Sequence, residues 1–169
     1  TYHIVQKVSI QIICAPLSLF QTNQEAQMKV QGMAGHLIRR LHQISTQVFT
    51  QHMQASGFDL TSVQFAALDA ILAQPGIDQA GVAAAIAYDR ATIGGVIDRL
   101  ETKGYVTRTV SETDRRARVV RATPKGAAAF AEVLPVVTAL QDQILQGLDE
   151  TEKAQMLALA RRVIDHAEG

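Results

Sequence analysis

Apolar residues recur at helical spacing along most of this chain and switch to strict alternation only once. Leu37, Leu41, Ile44 and Val48 stand four, three and four residues apart. That stripe predicts one long helix from Glu25 to Ser56, stopped by Gly57. "LTSVQFAALDAIL" predicts a second helix, capped by Thr61 or Ser62, with Val63, Ala67, Leu68, Ile71 and Leu72 turned inward and Pro75-Gly76 as its end. A short third helix follows in "DQAGVAAAIA", starting at Asp78. In "YDRATIGGVIDRLETKGYV", Ile93, Val96, Ile97 and Leu100 form the buried stripe of a fourth, with Asp89 as its cap and Gly104 as its terminator.

The alternation then begins. Val106, Arg108 and Val110 interleave with Tyr105, Thr107 and Thr109 in "YVTRTV", and "RVVRAT" follows the polar stretch "SETDRRA". Two short strands around a seven-residue charged loop predict a β-hairpin. Pro124 suits the first turn of a further helix, predicted over Ala127 to Gly147 with Pro135 as a kink. Asp149 caps a last helix with Met156, Leu157, Ala160, Val163 and Ile164 on its inner face. The fold class expected is mainly α with one small hairpin.

Charge alters this picture. The chain holds 16 basic and 16 acidic residues, yet they are unevenly placed. Lys103 to Lys125 carries seven basic residues against two acidic ones, and Gly126 to Gly169 carries three against seven. Such asymmetry points to a polyanionic partner for one segment. Four arginines, Arg115, Arg116, Arg118 and Arg121, fall within the hairpin loop and its second strand. Two short helices followed by a hairpin make a winged helix-turn-helix, in which the second helix enters the major groove and an arginine-tipped wing reaches phosphates or the minor groove. Arg90 and Thr92 open that second helix; an arginine there can grip a guanine edge. Asp114 is expected to hold a neighbouring arginine by a bidentate pair. Gly94 and Gly95 each cost the helix about 0.5–1 kcal/mol relative to Ala. Close approach to DNA and close packing between helices are both reasons to keep them.

Other chemistry finds little support. The single cysteine, Cys14, excludes an internal disulfide and a cysteine-based zinc site. There is no phosphate-cradling glycine loop, no His-Glu-x-x-His and no Gly-x-Ser-x-Gly, so an enzyme is not expected. The five histidines form no ligand cluster, and no metal or cofactor is expected. No run of about 18 apolar residues exists, so no membrane span is expected. "VSIQIICAPLSLF" follows Lys7 but lacks a small-x-small cleavage site, and a cytoplasmic location is the expectation.

"DRATIGGVIDRLETKGYVTR" and "DRRARVVRATPKG" resemble the recognition helix and wing of the MarR family of bacterial transcriptional regulators. The family's Asp-x-Arg and Thr-x-x-Gly patterns stand as Asp114, Arg116, Thr123 and Gly126. The resemblance runs from about Ala34 to Gly169. It implies a homodimer that reads a palindromic operator on double-stranded DNA and represses transcription. It divides the chain into a winged helix-turn-helix over 57–123 and dimerisation helices over 25–56 and 124–169, with 1–24 an arm of unassigned role. The candidate DNA contacts are Thr61, Gln64, Arg90, Ala91, Thr92, Gly94, Gly95, Arg99, Arg115, Arg116 and Arg118. Gly94 and Gly95 replace the polar or basic residues frequent in the family. The resemblance is greatest to members that control aromatic-acid breakdown, which implies a small aromatic or phenolic carboxylate as effector. His36, Arg39, Arg40, Gln43, Phe65 and Leu68 are the residues assigned to it, arginine for a carboxylate and the apolar pair for walls. Two alternatives are a redox switch at Cys14, whose apolar company makes a reactive thiolate hard to form, and a helical adaptor that binds protein alone.

Overall fold

The computed structural model describes residues 29–110 and 118–168. Its elements run α1 (Ala34–Ala55), α2 (Ser62–Ala73), α3 (Gln79–Ala85), α4 (Ile93–Thr102), β1 (Val106–Val110), β2 (Arg118–Ala122), α5 (Pro124–Ala139), α6 (Gln141–Ile144) and α7 (Glu150–Glu168), with a 3-10 turn at Lys29–Gly32 before α1. The expected class, mainly helical with one antiparallel hairpin, is what the structure shows. The chain separates into two compact units, residues 1–39 and 40–169. The described part of the first is the 3-10 turn and the first residues of α1, where Val30, Met33, Leu37 and Ile38 are exposed.

In the second unit a single core gathers α2, α3, α4, the hairpin and α5, joined by Phe49 and Met53 of α1. Each helix start has a chemical reason. Thr61 accepts the Gln64 amide N–H at 3.2 Å while the Gln64 side chain accepts that of Thr61, a reciprocal capping box that opens α2. Asp78 accepts the Gly81 N–H at 2.6 Å and opens α3. Asp149 and Glu152 cap α7 reciprocally at 2.9 Å. The hairpin is in register from Val106 opposite Ala122 to Val110 opposite Arg118. A third short stretch joins it: Gly76 donates to the Val120 carbonyl at 3.1 Å and Val120 donates to that of Ile77 at 2.8 Å.

Several boundaries differ from the expectation. α1 begins at Ala34, not Glu25, and Gly32 and Gly35 weaken helix where it starts; residues before 29 lie outside the described set. α4 begins at Ile93. Asp89 instead binds the turn ahead of it, accepting from the Ala91 and Thr92 amides, both at 3.0 Å. The helix expected over 127–147 divides at Leu140 into α5 and α6, and Gly147 at φ +103° turns the chain toward α7. Pro135 lies within α5.

The apolar stripes of the outer helices are not all covered. Leu41 and Ile44 of α1 and Leu134 of α5 are exposed. α7 buries nothing: Leu157, Leu159, Val163 and Ile164 are 45–68% exposed. Of the inner face expected for α7, Met156 is half-buried beside a cavity shared with α1 and α6, while Leu157, Val163 and Ile164 are left uncovered among the described residues.

The Thr-x-x-Gly pattern has a packing basis. Thr123 caps α5 by accepting the Gly126 N–H at 3.0 Å and donates its hydroxyl to the Gly104 carbonyl at 2.7 Å. A Cβ at Gly126 would stand 2.0 Å from the Tyr105 carbonyl oxygen. Backbone cannot yield as a side-chain tip does, so Gly126→Ala should destabilise the fold by about 3 kcal/mol or more. Urea unfolding at fixed protomer concentration measures it; a variant within error of wild type would refute the contact.

Candidate nucleic-acid interface and ligand cavity

α4 has one apolar side and one open side. Ile93, Val96, Ile97 and Leu100 are buried against the core, while Gly95, Asp98 and Arg99 are exposed. Arg90, Ala91 and Thr92 are exposed in the turn just ahead. That turn is held tightly: the Thr92 hydroxyl also donates to the Asp89 carboxylate at 3.1 Å. Ala87, between α3 and α4, has φ +50°, a left-handed conformation that a residue with a Cβ adopts at a cost. A Cβ at Gly94 or Gly95 would meet nothing within 4 Å. Among the described residues, then, no other helix crowds either glycine.

Two of the expected contacts are occupied by the fold. Gln64 is 3% exposed, and its carbonyl oxygen takes part in the α2 cap and faces Lys103 Nζ at 3.4 Å. It is a buried framework residue rather than a surface contact. Thr61 is exposed, but its hydroxyl is committed to the same cap. Sequence motifs mark both roles alike, because a cap and a contact draw on the same polar side chains.

Arg115, Arg116 and Asp114 lie outside the described residues. Arg118 is exposed at the start of β2. Arg121 is exposed too, and its guanidinium lies over Gly76, where an added Cβ would sit 3.0 Å from Nη2. The residue that sequence reasoning passed over is Arg108, on β1. Its Nη1 meets Asp98 of α4 at 2.6 Å, its Nε donates to Glu101 at 3.0 Å, and Nη2 reaches the same Glu101 oxygen. The other Glu101 oxygen accepts the Arg108 backbone N–H at 3.2 Å. Hydrogen bonding from Arg108 holds the Glu101 carboxyl below its usual range, and Arg118 adds a weaker attraction. Glu101 in turn raises Arg108. The signal was present as acids at i and i+3 on α4, followed by an arginine at the hairpin base.

The residues assigned to the effector divide. His36 and Arg39, in the first unit, bond each other at 3.2 Å. Arg40 donates to Gln43 at 3.1 Å on the exposed face of α1. Leu68 is fully buried in the core. Phe65 is stacked on Phe130 at 4.8 Å and tilted against Phe49 at 6.1 Å. Open volume is found along α1, the largest described being about 560 Å³ between α1, α6 and Met156 of α7. A cavity of about 220 Å³ is lined by His42, Ser45 and Thr46 of α1, by Ser62, Val63 and Ala66 of α2, and by Ile86 and Tyr88 of the turn before α4. It shares His42 and Thr46 with a groove of about 420 Å³ along α1 that also takes in Gln43. His42, Ser45 and Thr46 sit at helical spacing in the sequence, but nothing in their pattern distinguishes them from solvated residues. No group of three or more potential metal ligands occurs among the described residues, and no helix there is long and apolar enough to cross a membrane.

The MarR family model matches residues 58–117. NicR, an HTH-type transcriptional repressor of Pseudomonas putida, is 34% identical over 139 residues, 82% of this chain and 87% of the relative. BpsR of Bordetella bronchiseptica, whose DNA binding is regulated by 6-hydroxynicotinic acid, has a solved structure that superposes with TM-score 0.74 at 31% identity, covering 82% of this chain and 97% of that one. The transcriptional regulator PcaV of Streptomyces coelicolor, solved with its natural ligand, gives 0.73 at 30% identity, with 84% and 99% covered. The chain belongs to the MarR family of transcriptional regulators.

The lowered Glu101 gives the Arg108 contact a pH signature. A carboxyl depressed in the fold stabilises fully above its ordinary value, about 4.3, and that contribution is lost as pH falls from there through the lower folded value. Glu101→Gln should therefore melt below wild type at neutral pH, and the gap should close on acidification below roughly pH 4. Thermal melts across pH check this; a gap independent of pH would remove the ionic contribution.

Proposed function

We propose that the protein is a homodimeric, sequence-specific DNA-binding repressor, released from a palindromic operator by a small aromatic carboxylate. One observation carries the DNA reading: Arg90, just ahead of α4, and Arg99 within it are exposed, and between them an added Cβ at Gly94 or Gly95 would meet nothing within 4 Å among the described residues. Arginine at the start of such a helix suits a guanine edge, and bare backbone lets the helix sit deep in the groove. Arg118, together with Arg115 and Arg116 shortly before it in the sequence, supplies the wing's charge. Ala91 and Thr92 border this surface, and Thr61, exposed at the start of α2, is a further proposed contact. The dimer is supported by the uncovered Leu157, Leu159, Val163 and Ile164 of α7, an apolar area that a second copy would bury. Two recognition helices related by a two-fold axis read a palindrome.

The effector reading rests on the cavity. It has room for a single ring, and its hydroxyl groups suit a hydroxylated one. Arg40, bonded to Gln43 at the edge of the adjoining groove, is the partner proposed for the carboxylate. BpsR, with its regulation by 6-hydroxynicotinic acid, supports this ligand class. Ile86 and Tyr88 place the cavity against the turn that leads into α4, so a ligand preferring one setting of that turn shifts the spacing of the recognition helices.

Four outcomes test this. Gly95→Ala should stabilise the free protein by about 0.5–1 kcal/mol while weakening binding to a duplex selected from a random pool; tighter binding would contradict the deep approach. Arg115→Ala with Arg116→Ala should abolish selective binding and flatten the salt dependence, read by fluorescence anisotropy across salt. A hydroxybenzoate or hydroxynicotinate at a hundred times its Kd should stabilise the wild type by about 2.7 kcal/mol and free the duplex. Ala66→Leu, which fills the cavity, should lose both responses; retained release would place the ligand elsewhere.

A further inference from the structure

Resting on the DNA reading above, we infer that Arg108 is a positioning residue: by bridging Asp98 and Glu101 it locks the base of the wing to the recognition helix and so fixes the distance between the two elements that grip the duplex. It is an arginine in the most basic segment of the chain, yet it is turned inward onto two carboxylates. A guanidinium presents its donors as a rigid planar fork. Here that fork is spent on α4: one edge on Asp98, the other on Glu101. Glu101 also accepts the Arg108 backbone N–H, so it holds the strand as well as the side chain. The contact joins an α4 residue one turn from the helix end to the middle of β1, where Arg108 faces Val120 of β2.

The geometry assigns these charges to each other, not to phosphate. Two acids beside a DNA-reading helix would repel the duplex if left bare, and Arg108 neutralises them. The arrangement also explains why Asp98 and Glu101 are tolerated beside Arg99. A wing is useful only if it reaches the flank while α4 occupies the groove. A hairpin of two five-residue strands has little stiffness of its own. The α4 anchor supplies it, midway along β1, and so limits the tilt of the hairpin against α4.

The test compares wild type, Arg108→Ala, Arg108→Lys and Glu101→Gln, each well below its own melting temperature. The probe is a duplex recovered by the wild type from a random pool, and binding is read across salt. Arg108→Ala should bind about tenfold weaker, with a salt slope lower by about 1–2, as expected when wing contacts to phosphate are lost. Hydroxyl-radical protection should vanish at the flanks and persist over the central grooves. Glu101→Gln should weaken binding in the same way, and the double variant should add little. Lysine, a point charge, should restore the charge but not the flank protection. Were Arg108 a direct phosphate contact instead, Glu101→Gln would free it and tighten binding; that result, or an unchanged flank footprint in Arg108→Ala, overturns the inference. Hydrogen exchange of the Val106–Val110 amides without DNA gives an independent reading: Arg108→Ala should speed it, and unchanged exchange overturns the clamp. Failure of the wild type to select any duplex would sink the DNA reading itself, while the exchange measurement would still decide whether the wing is held.

Discussion

The close approach of Gly126 to the Tyr105 carbonyl is the constraint on which the rest of the second unit depends. Three consecutive carbonyls, of Lys103, Gly104 and Tyr105, are engaged from the start of α5. Lys125 Nζ takes the first at 2.8 Å, the Thr123 hydroxyl the second at 2.7 Å, and the Thr123 N–H the third at 2.9 Å. Lys125 also lies over the Tyr105 ring at 5.4 Å. Gly104, at φ +73°, supplies the left-handed step that ends α4 and presents these carbonyls. The end of the recognition helix, the start of the wing and the start of α5 are thus one junction. A motion of α4 cannot occur without being felt at the root of α5.

A second junction ties α4 to α2. Lys103 Nζ pairs with the Asp59 carboxylate at 2.9 Å and also reaches the Asp59 carbonyl and the Gln64 amide oxygen at the α2 cap. With Arg108 on the hairpin side, α4 is held at its C-terminal end by three sets of polar contacts. Its N-terminal end is held differently. There the turn carries a left-handed Ala87 and an Asp89 that satisfies two amides of the exposed stretch before Ile93. α4 is therefore anchored at one end and entered through a strained turn at the other. In the proposed function, the strained end is the one that adjoins the ligand cavity.

Much of this was legible in the sequence, and the reasons for the remainder are physical. The stripe Ile93, Val96, Ile97 and Leu100 identified the buried side of α4 because burial on a helix imposes its period on apolar residues. The hairpin strands were read because alternation is imposed by the pleat. Gln64 misled because a capping glutamine and a contacting one look alike until exposure is known. Leu68 misled for a related reason: an apolar residue near a cavity and one inside the core obey the same spacing. The Gly76–Asp78 stretch was missed because three residues are too few to show a period and Pro75-Gly76 reads as a turn. The cavity was missed because it is assembled from α1, α2 and the turn before α4, segments whose meeting no local pattern encodes.

The zero net charge with which the sequence opens hides a division of labour among arginines. Exposure alone does not sort them, and neither does position in the basic segment. Partners do. Arg108 is matched by two carboxylates, and its charge is consumed inside the molecule. Arg121 lies along the chain at Gly76, on the edge strand's side of the hairpin. Arg90 and Arg99 stand on the open side of α4 with no ion pair among the described residues. A count of positive residues treats all four alike. An arginine is free to meet a polyanion only when the fold has not already supplied it with an anion, so the acids at 98 and 101 are as informative about the DNA-facing surface as the arginines are. In the proposed function they mark Arg108 as a brace between α4 and β1 and leave Arg90 and Arg99 for the duplex.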